Sequence, residues 1–139
     1  MEENMIKKIK LFAALFLCVC LSGCGMSQAG GAKVADIDYT VVEDEKTPKE
    51  LLKTIEEKKN ADFKMTYEEG EHLYIVRGYG QQETGGYSIA VSDIYLTSNA
   101  IYFKTTLIGP GESSEVAKAP SYPYIVVKVK KQGKNVVFD

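Results

Sequence analysis

The chain has 139 residues, 45% apolar and 26% charged, the balance of an ordinary globular protein with one core, which excludes a disordered or fibrous chain. Its formal net charge of −2 offers no basic excess with which to hold phosphates, so nucleic-acid binding is excluded as well.

Lys7, Lys8 and Lys10 precede an apolar run over residues 11–21. That run is too short to cross a bilayer as a helix, which takes about twenty residues, but it fits the apolar region of a secretory signal peptide. Leu21, Ser22, Gly23 and Cys24 then resemble a bacterial lipobox, in which small residues let a lipoprotein signal peptidase cut just before a cysteine that carries diacylglycerol. The expectation is a signal peptide over residues 1–23, starting at Met1 or at Met5, and a lipid anchor (diacylglycerol, palmitate) on Cys24. Cleavage removes Cys18 and Cys20 and leaves fourteen basic and seventeen acidic residues. With Cys24 acylated, the mature domain has neither disulfide nor free thiol, although its compartment permits disulfides. Two or more acyl chains anchor stably where one does not. Residues 24–35 are small and polar, a flexible tether, and residues 36–139 are the globular domain, extracytoplasmic and held to the cell membrane.

Residues 38–43 are β-branched and aromatic and read as a first strand. Thr47, Pro48 and Glu50 form a helix start, with Thr47 as cap, Pro48 at the first position and Glu50 closing a capping box, so a helix is predicted over residues 48–59. Leu51, Leu52 and Ile55 are its apolar stripe. After Asp62 the period changes to two: Phe63, Met65 and Tyr67 alternate up to a turn at residues 68–71, which predicts a hairpin into an apolar strand, 72–79, covered on both faces. Gly78 and Gly80 weaken that strand and lead into a corner at 81–86.

Tyr87, Ile89 and Val91 alternate with small residues, but Ile94 and Leu96 fall on the opposite phase; a bulge near Ser92 and Asp93 would keep both sets facing one core. Ser98 and Asn99 make the next turn, with Asn99 suited to a left-handed conformation, and Ile101, Phe103, Thr105 and Leu107 continue an antiparallel hairpin. Residues 109–123 form one long irregular loop, uncommon without a binding role or mobility. Ile125, Val127 and Val129 alternate in another strand, and residues 136–138 add an edge strand.

Thr84-Gly85-Gly86-Tyr87-Ser88-Ile89, followed by Gly109-Pro110-Gly111 and then Tyr122-Pro123-Tyr124-Ile125-Val126, resemble the C-terminal domain of the protease complex subunit PrcB family, over about the last seventy residues from Tyr74. The resemblance implies a lipoprotein that associates with and stabilises a secreted or surface protease without contributing catalytic residues. It marks Thr84, Gly85, Gly86, Tyr87, Gly109, Pro110, Gly111, Tyr122, Pro123 and Tyr124 as candidate structural or interaction residues.

Other chemistry finds little support. Gly78-Tyr79-Gly80 begins like a dinucleotide fingerprint, but Glu83 stands where the third glycine belongs and a strand follows where a helix is needed. Ser88 beside a glycine turn lacks the strand-to-helix elbow of an activated serine, and His72 is the only histidine. One histidine and no free mature thiol exclude the common zinc sets, and Glu68, Glu69 and Glu71 read as a solvated turn rather than a calcium loop. Tyr122 and Tyr124 suit an interface and a half-buried strand equally; Tyr87 suits the core.

The expected fold is α+β and mainly β, an antiparallel sheet curled into a small sandwich or partial barrel with one N-terminal helix. The expected function is a non-enzymatic, membrane-anchored lipoprotein, without cofactor or metal, that binds or stabilises a partner protein through residues 81–86 and 109–123. The alternative is a lipoprotein that binds a small molecule or cell-envelope glycan.

Overall fold

The computed structural model describes residues 31–113 and 115–139. The lipobox, Cys24 and most of the expected tether lie outside the described residues. Among the described residues, eight strands and one α-helix follow in the order β1 Ala35–Asp36, β2 Tyr39–Val41, α1 Lys49–Lys58, β3 Asp62–Glu69, β4 His72–Tyr79, β5 Ser88–Leu96, β6 Ala100–Ile108, β7 Tyr124–Lys130 and β8 Asn135–Phe138. They build two four-stranded sheets, β1-β5-β6-β8 and β2-β7-β4-β3. The sheets stay separate, so the molecule is a sandwich rather than a barrel.

Alternation along the strands supplies the core between the sheets. Leu73, Ile75, Ile125, Val127 and Val129 from one sheet meet Ile94, Ile101 and Phe103 from the other. The opposite faces of β4 and β7 carry Tyr74, Val76 and Val126, and these pack against Leu51 and Ile55 of α1. The two central strands are therefore covered on both sides, which is why residues 73–76 are apolar without alternation. Gly78 sits in β4 opposite Phe63 of β3, and a Cβ there would lie 2.1 Å from the Phe63 ring. The glycine leaves room for that ring to lie across the strand, an aromatic over a glycine.

The phase change in β5 is a bulge: pairing with β6 shifts between Val91 and Asp93. Ile89 and Val91 before it and Ile94 and Leu96 after it all reach the core between the sheets. The β3–β4 turn places Gly70 at its first central position with φ 59, where a two-residue type II′ turn needs glycine.

Four expectations are corrected. Thr47 does not cap the helix: its hydroxyl donates to the Glu43 carbonyl at 2.9 Å, closing the short 3₁₀ turn at Asp44–Lys46, and extended Pro48 (ψ 135) delays the helix to Lys49 without a side-chain cap. Asn99 is not left-handed; the turn is held by buried Thr97, whose Oγ1 accepts from the Ala100 N–H at 3.0 Å. The final strand β8 pairs parallel with β6, because the chain leaves β7 in one sheet and crosses to the edge of the other. A short strand, β1, precedes the first one expected, and Ile37 between β1 and β2 drops into the core as the chain passes from sheet to sheet.

Candidate functional site

At one end of the sandwich two connections cross between the sheets. Residues 80–87 lead from β4 to β5, and residues 109–123 lead from β6 to β7. Gly80, at φ 73, turns the chain out of β4, and its position admits no side chain because a Cβ would lie 2.9 Å from the Asp62 backbone nitrogen.

The two crossings are bonded to one another. Gln82 and Ser121 form an isolated antiparallel bridge, with the Gln82 N–H donating to the Ser121 carbonyl at 2.8 Å and the Ser121 N–H donating back at 3.0 Å. The Gly85 N–H donates to the Ala117 carbonyl at 2.9 Å, and the Ser121 hydroxyl to the Thr84 carbonyl at 2.6 Å. Gly86, at φ 83, lies under Val116 and Pro110, whose atoms a Cβ would meet at 2.5 and 3.0 Å. The long loop is thus a strap fastened to the corner.

Tyr87 lies outside both apolar clusters. It is half-buried, with its ring 3.4 Å from where a Gly109 Cβ would stand, so the expectation of a core role is corrected: the ring seats the start of the strap. The structure brings Thr84, Gly85, Gly86, Tyr87, Gly109 and Pro110 together; Gly111 is exposed beyond them.

Where the strap re-enters β7, Tyr122, Pro123 and Tyr124 line one side of a cleft of about 320 Å³, with Val41, Val42 and Asp44 opposite. The Lys59 ammonium stands 5.5 Å from the centre of the Tyr122 ring, a cation–π contact. The Tyr124 ring packs against the helix cluster, and its hydroxyl donates to Asp44 Oδ1 at 2.7 Å. Burial first, and the Asp44 carboxylate second, push the Tyr124 phenol well above its ordinary range.

Between Tyr122 and Tyr124, then, the half-buried strand reading holds for Tyr124, while Tyr122 faces the cleft. Beneath the corner Arg77 stacks on the Tyr79 ring at 4.1 Å and donates to Asp62 Oδ2 at 2.9 Å, and Tyr79 and Thr105 hydroxyls lie 2.6 Å apart, tying the sheets.

His72 begins β4 and Ser88 begins β5, in different sheets, both exposed. His72 is separated from the corner by the whole of β4, roughly 20 Å of strand. The turn glutamates Glu68, Glu69 and Glu71 are exposed, Glu68 pairing with Lys131 at 3.2 Å.

Sequence reasoning did not find Gln82, Ala117, Ser121, Asp44 or Lys59. Their roles arise from backbone pairing between distant segments and from one tyrosine hydroxyl, and no local pattern announces either.

No curated protein and no solved structure gives a significant match to the chain. A family model does match: the one described as PrcB C-terminal covers residues 73–130, from the start of β4 to the end of β7, with the corner and the strap inside it. Helix α1, the first three strands and β8 stand outside that span, so the likeness to the PrcB C-terminal family rests on residues 73–130, which hold the corner and the strap.

Proposed function

We propose that this protein is a non-enzymatic lipoprotein, anchored through Cys24 outside the cytoplasm, whose sandwich binds and stabilises a partner protein, an extracytoplasmic protease if the resemblance to the protease complex subunit PrcB family extends to its role. The observation that supports it is the gathering of the family's residues into one surface end. Thr84, Gly85, Gly86, Tyr87, Gly109 and Pro110 are spent on fastening the strap to the corner, and that strap presents Tyr122 and Pro123 beside an open cleft. Loops fastened to a sheet scaffold and presenting a tyrosine are common material of a protein interface.

The small-molecule or glycan reading has less to rest on. The space between the sheets is filled by apolar side chains, and the described clefts, about 320, 290 and 200 Å³, lie at the surface. Ligand pockets run from about 300 to 1,000 Å³ and enclose most of their ligand.

The test is gentle crosslinking of the lipoprotein in its native membranes, followed by purification. A discrete adduct with a second protein is expected, together with incorporation of labelled palmitate into the parent chain and not into the Cys24→Ala variant. Recovery of monomer alone would count against partner binding, and a parent chain that takes up no label would count against the anchor.

A further inference from the structure

Strand β7 outruns its neighbour. β2 ends at Val41, and the last rung between the two strands is the Val42 N–H donating to the Val126 carbonyl at 2.8 Å. Main-chain groups of alternate residues in a strand point to alternate sides. Val126 faces β2, whereas the Pro123 carbonyl faces β4 and accepts from the Tyr79 N–H at 3.1 Å. The N–H and carbonyl of Tyr124 therefore face the side that β2 has left, and among the described residues no backbone group pairs with them there.

The chain that would have supplied the next rung turns away into Asp44–Lys46 and is held off by the Tyr124 hydroxyl bond to Asp44. The cleft occupies the gap between them. Val41, 53% exposed, gives it an apolar wall, Asp44 lines it, and the residues beside Asp44 in the chain, Glu43 and Glu45, are exposed against the single Lys46. Lys59, across the cleft at Tyr122, is already paired with Glu56 at 2.7 Å. A donor and an acceptor spaced as one residue of a strand, beside an apolar wall and an acidic rim, match an extended peptide with basic side chains.

We infer that the cleft takes an extended, basic segment of the partner protein by strand addition, its main chain pairing with Tyr124 along the line β2 vacates and a lysine or arginine meeting the Glu43, Asp44 and Glu45 rim. The inference rests on the partner-binding reading and gives it a mode and a sequence preference.

The probe is a labelled heptapeptide of valines alternating with threonine, lysine and arginine, added to the detergent-solubilised full chain. Amide exchange at Tyr124 is expected to slow at least about tenfold on saturation, because a hydrogen bond closes over it. Methylating alternate peptide nitrogens should weaken binding about tenfold, the worth of roughly one main-chain bond. Asp44→Asn keeps the acceptor for Tyr124 and removes the charge; it should weaken binding of the basic probe several-fold and leave a probe with serines in place of the bases unchanged.

Unaltered exchange at Tyr124, indifference to N-methylation, or protection confined to residues 81–87 would each overturn the inference. Run beside the membrane crosslinking, the two readings separate. An adduct that persists under excess peptide leaves partner binding standing and removes strand addition. Protection of Tyr124 without any adduct does the reverse.

Discussion

Gly85 and Gly86 adjoin in sequence and differ in what they demand. Gly86 is at φ 83 with Val116 and Pro110 pressed over it, while Gly85 has no positive φ and would place a Cβ at an ordinary 3.5 Å from Ala117. A β-branched residue at Gly86 is penalised twice, by backbone strain and by overpacking, each on the order of 1–3 kcal/mol. Gly86→Val should therefore lose about 3 kcal/mol in urea unfolding, whereas Gly85→Ala should stay within about 0.5 kcal/mol of the parent. Equal losses at both would mean that the strap is not seated as described.

A second residue-scale prediction concerns Tyr102, whose hydroxyl donates to Asp139 Oδ2 at 2.6 Å. That bond is the main reason why the phenol is pushed from 10.0 up to about 12, and it also lowers Asp139, with Lys104 assisting. The phenol ionises later in the folded chain than in the unfolded one, so its contribution to stability is complete below pH 10 and disappears as pH rises toward 12. For Asp139 the sign is opposite: its contribution is present above the ordinary carboxylate range and is lost as pH falls through the lowered value. Phenolate absorbance, compared between parent and Tyr102→Phe, should show the missing group titrating near 12. Titration at the ordinary value would show that the bond is not made in solution.

Among the elements, helix α1, one residue shorter at each end than expected, shows how a nearly right boundary can rest on a wrong cap. Of the expected stripe, Leu51 and Ile55 are buried against β4 and β7, whereas Leu52 is half-buried outside that cluster. The capping box was not real, because Thr47 is committed to the preceding 3₁₀ turn and Glu50 has no cap bond to return. Glu50→Ala should therefore cost less than about 0.5 kcal/mol, as for a plain surface change, while Leu51→Ala should cost about 2–5 kcal/mol through a cavity beneath the helix. Chemical denaturation of both variants checks the pair. The bulge in β5 was legible because a core tolerates no outward-facing run: two sets of apolar residues out of phase need one extra residue between them. The parallel pairing of β8 was not legible, since four residues of strand fit either direction and only the position of β6 decides it.

For the whole molecule, three layers follow from which strands are apolar on both faces. Helix, inner sheet and outer sheet stack so that β4 and β7 are shielded on either side, and the outer face of β5 and β6 carries stacked Tyr95 and Tyr102 at 4.7 Å among polar residues. Hydrogen exchange should accordingly rank β4 and β7 slowest, opening only with global unfolding, and the short strands β1 and β8 fastest. Comparable rates in β8 and β7 would contradict this layering. The sandwich was readable from strand periods, and the candidate surface from the family's residues. The gap beside β7 was not, because it is made by a strand stopping early, and nothing local in Tyr39, Thr40 or Val41 says which residue of β7 loses its partner.

The strap and corner also decide how the fold resists force. Among the described residues, four hydrogen bonds, two of the Gln82–Ser121 bridge, one from Gly85 to Ala117 and one from Ser121 to Thr84, join the two crossings at that end. Each crossing is covalently continuous from sheet to sheet and carries a pull between them along its own chain; the bonds keep strap and corner side by side, in the way a buckle holds two ends of a belt.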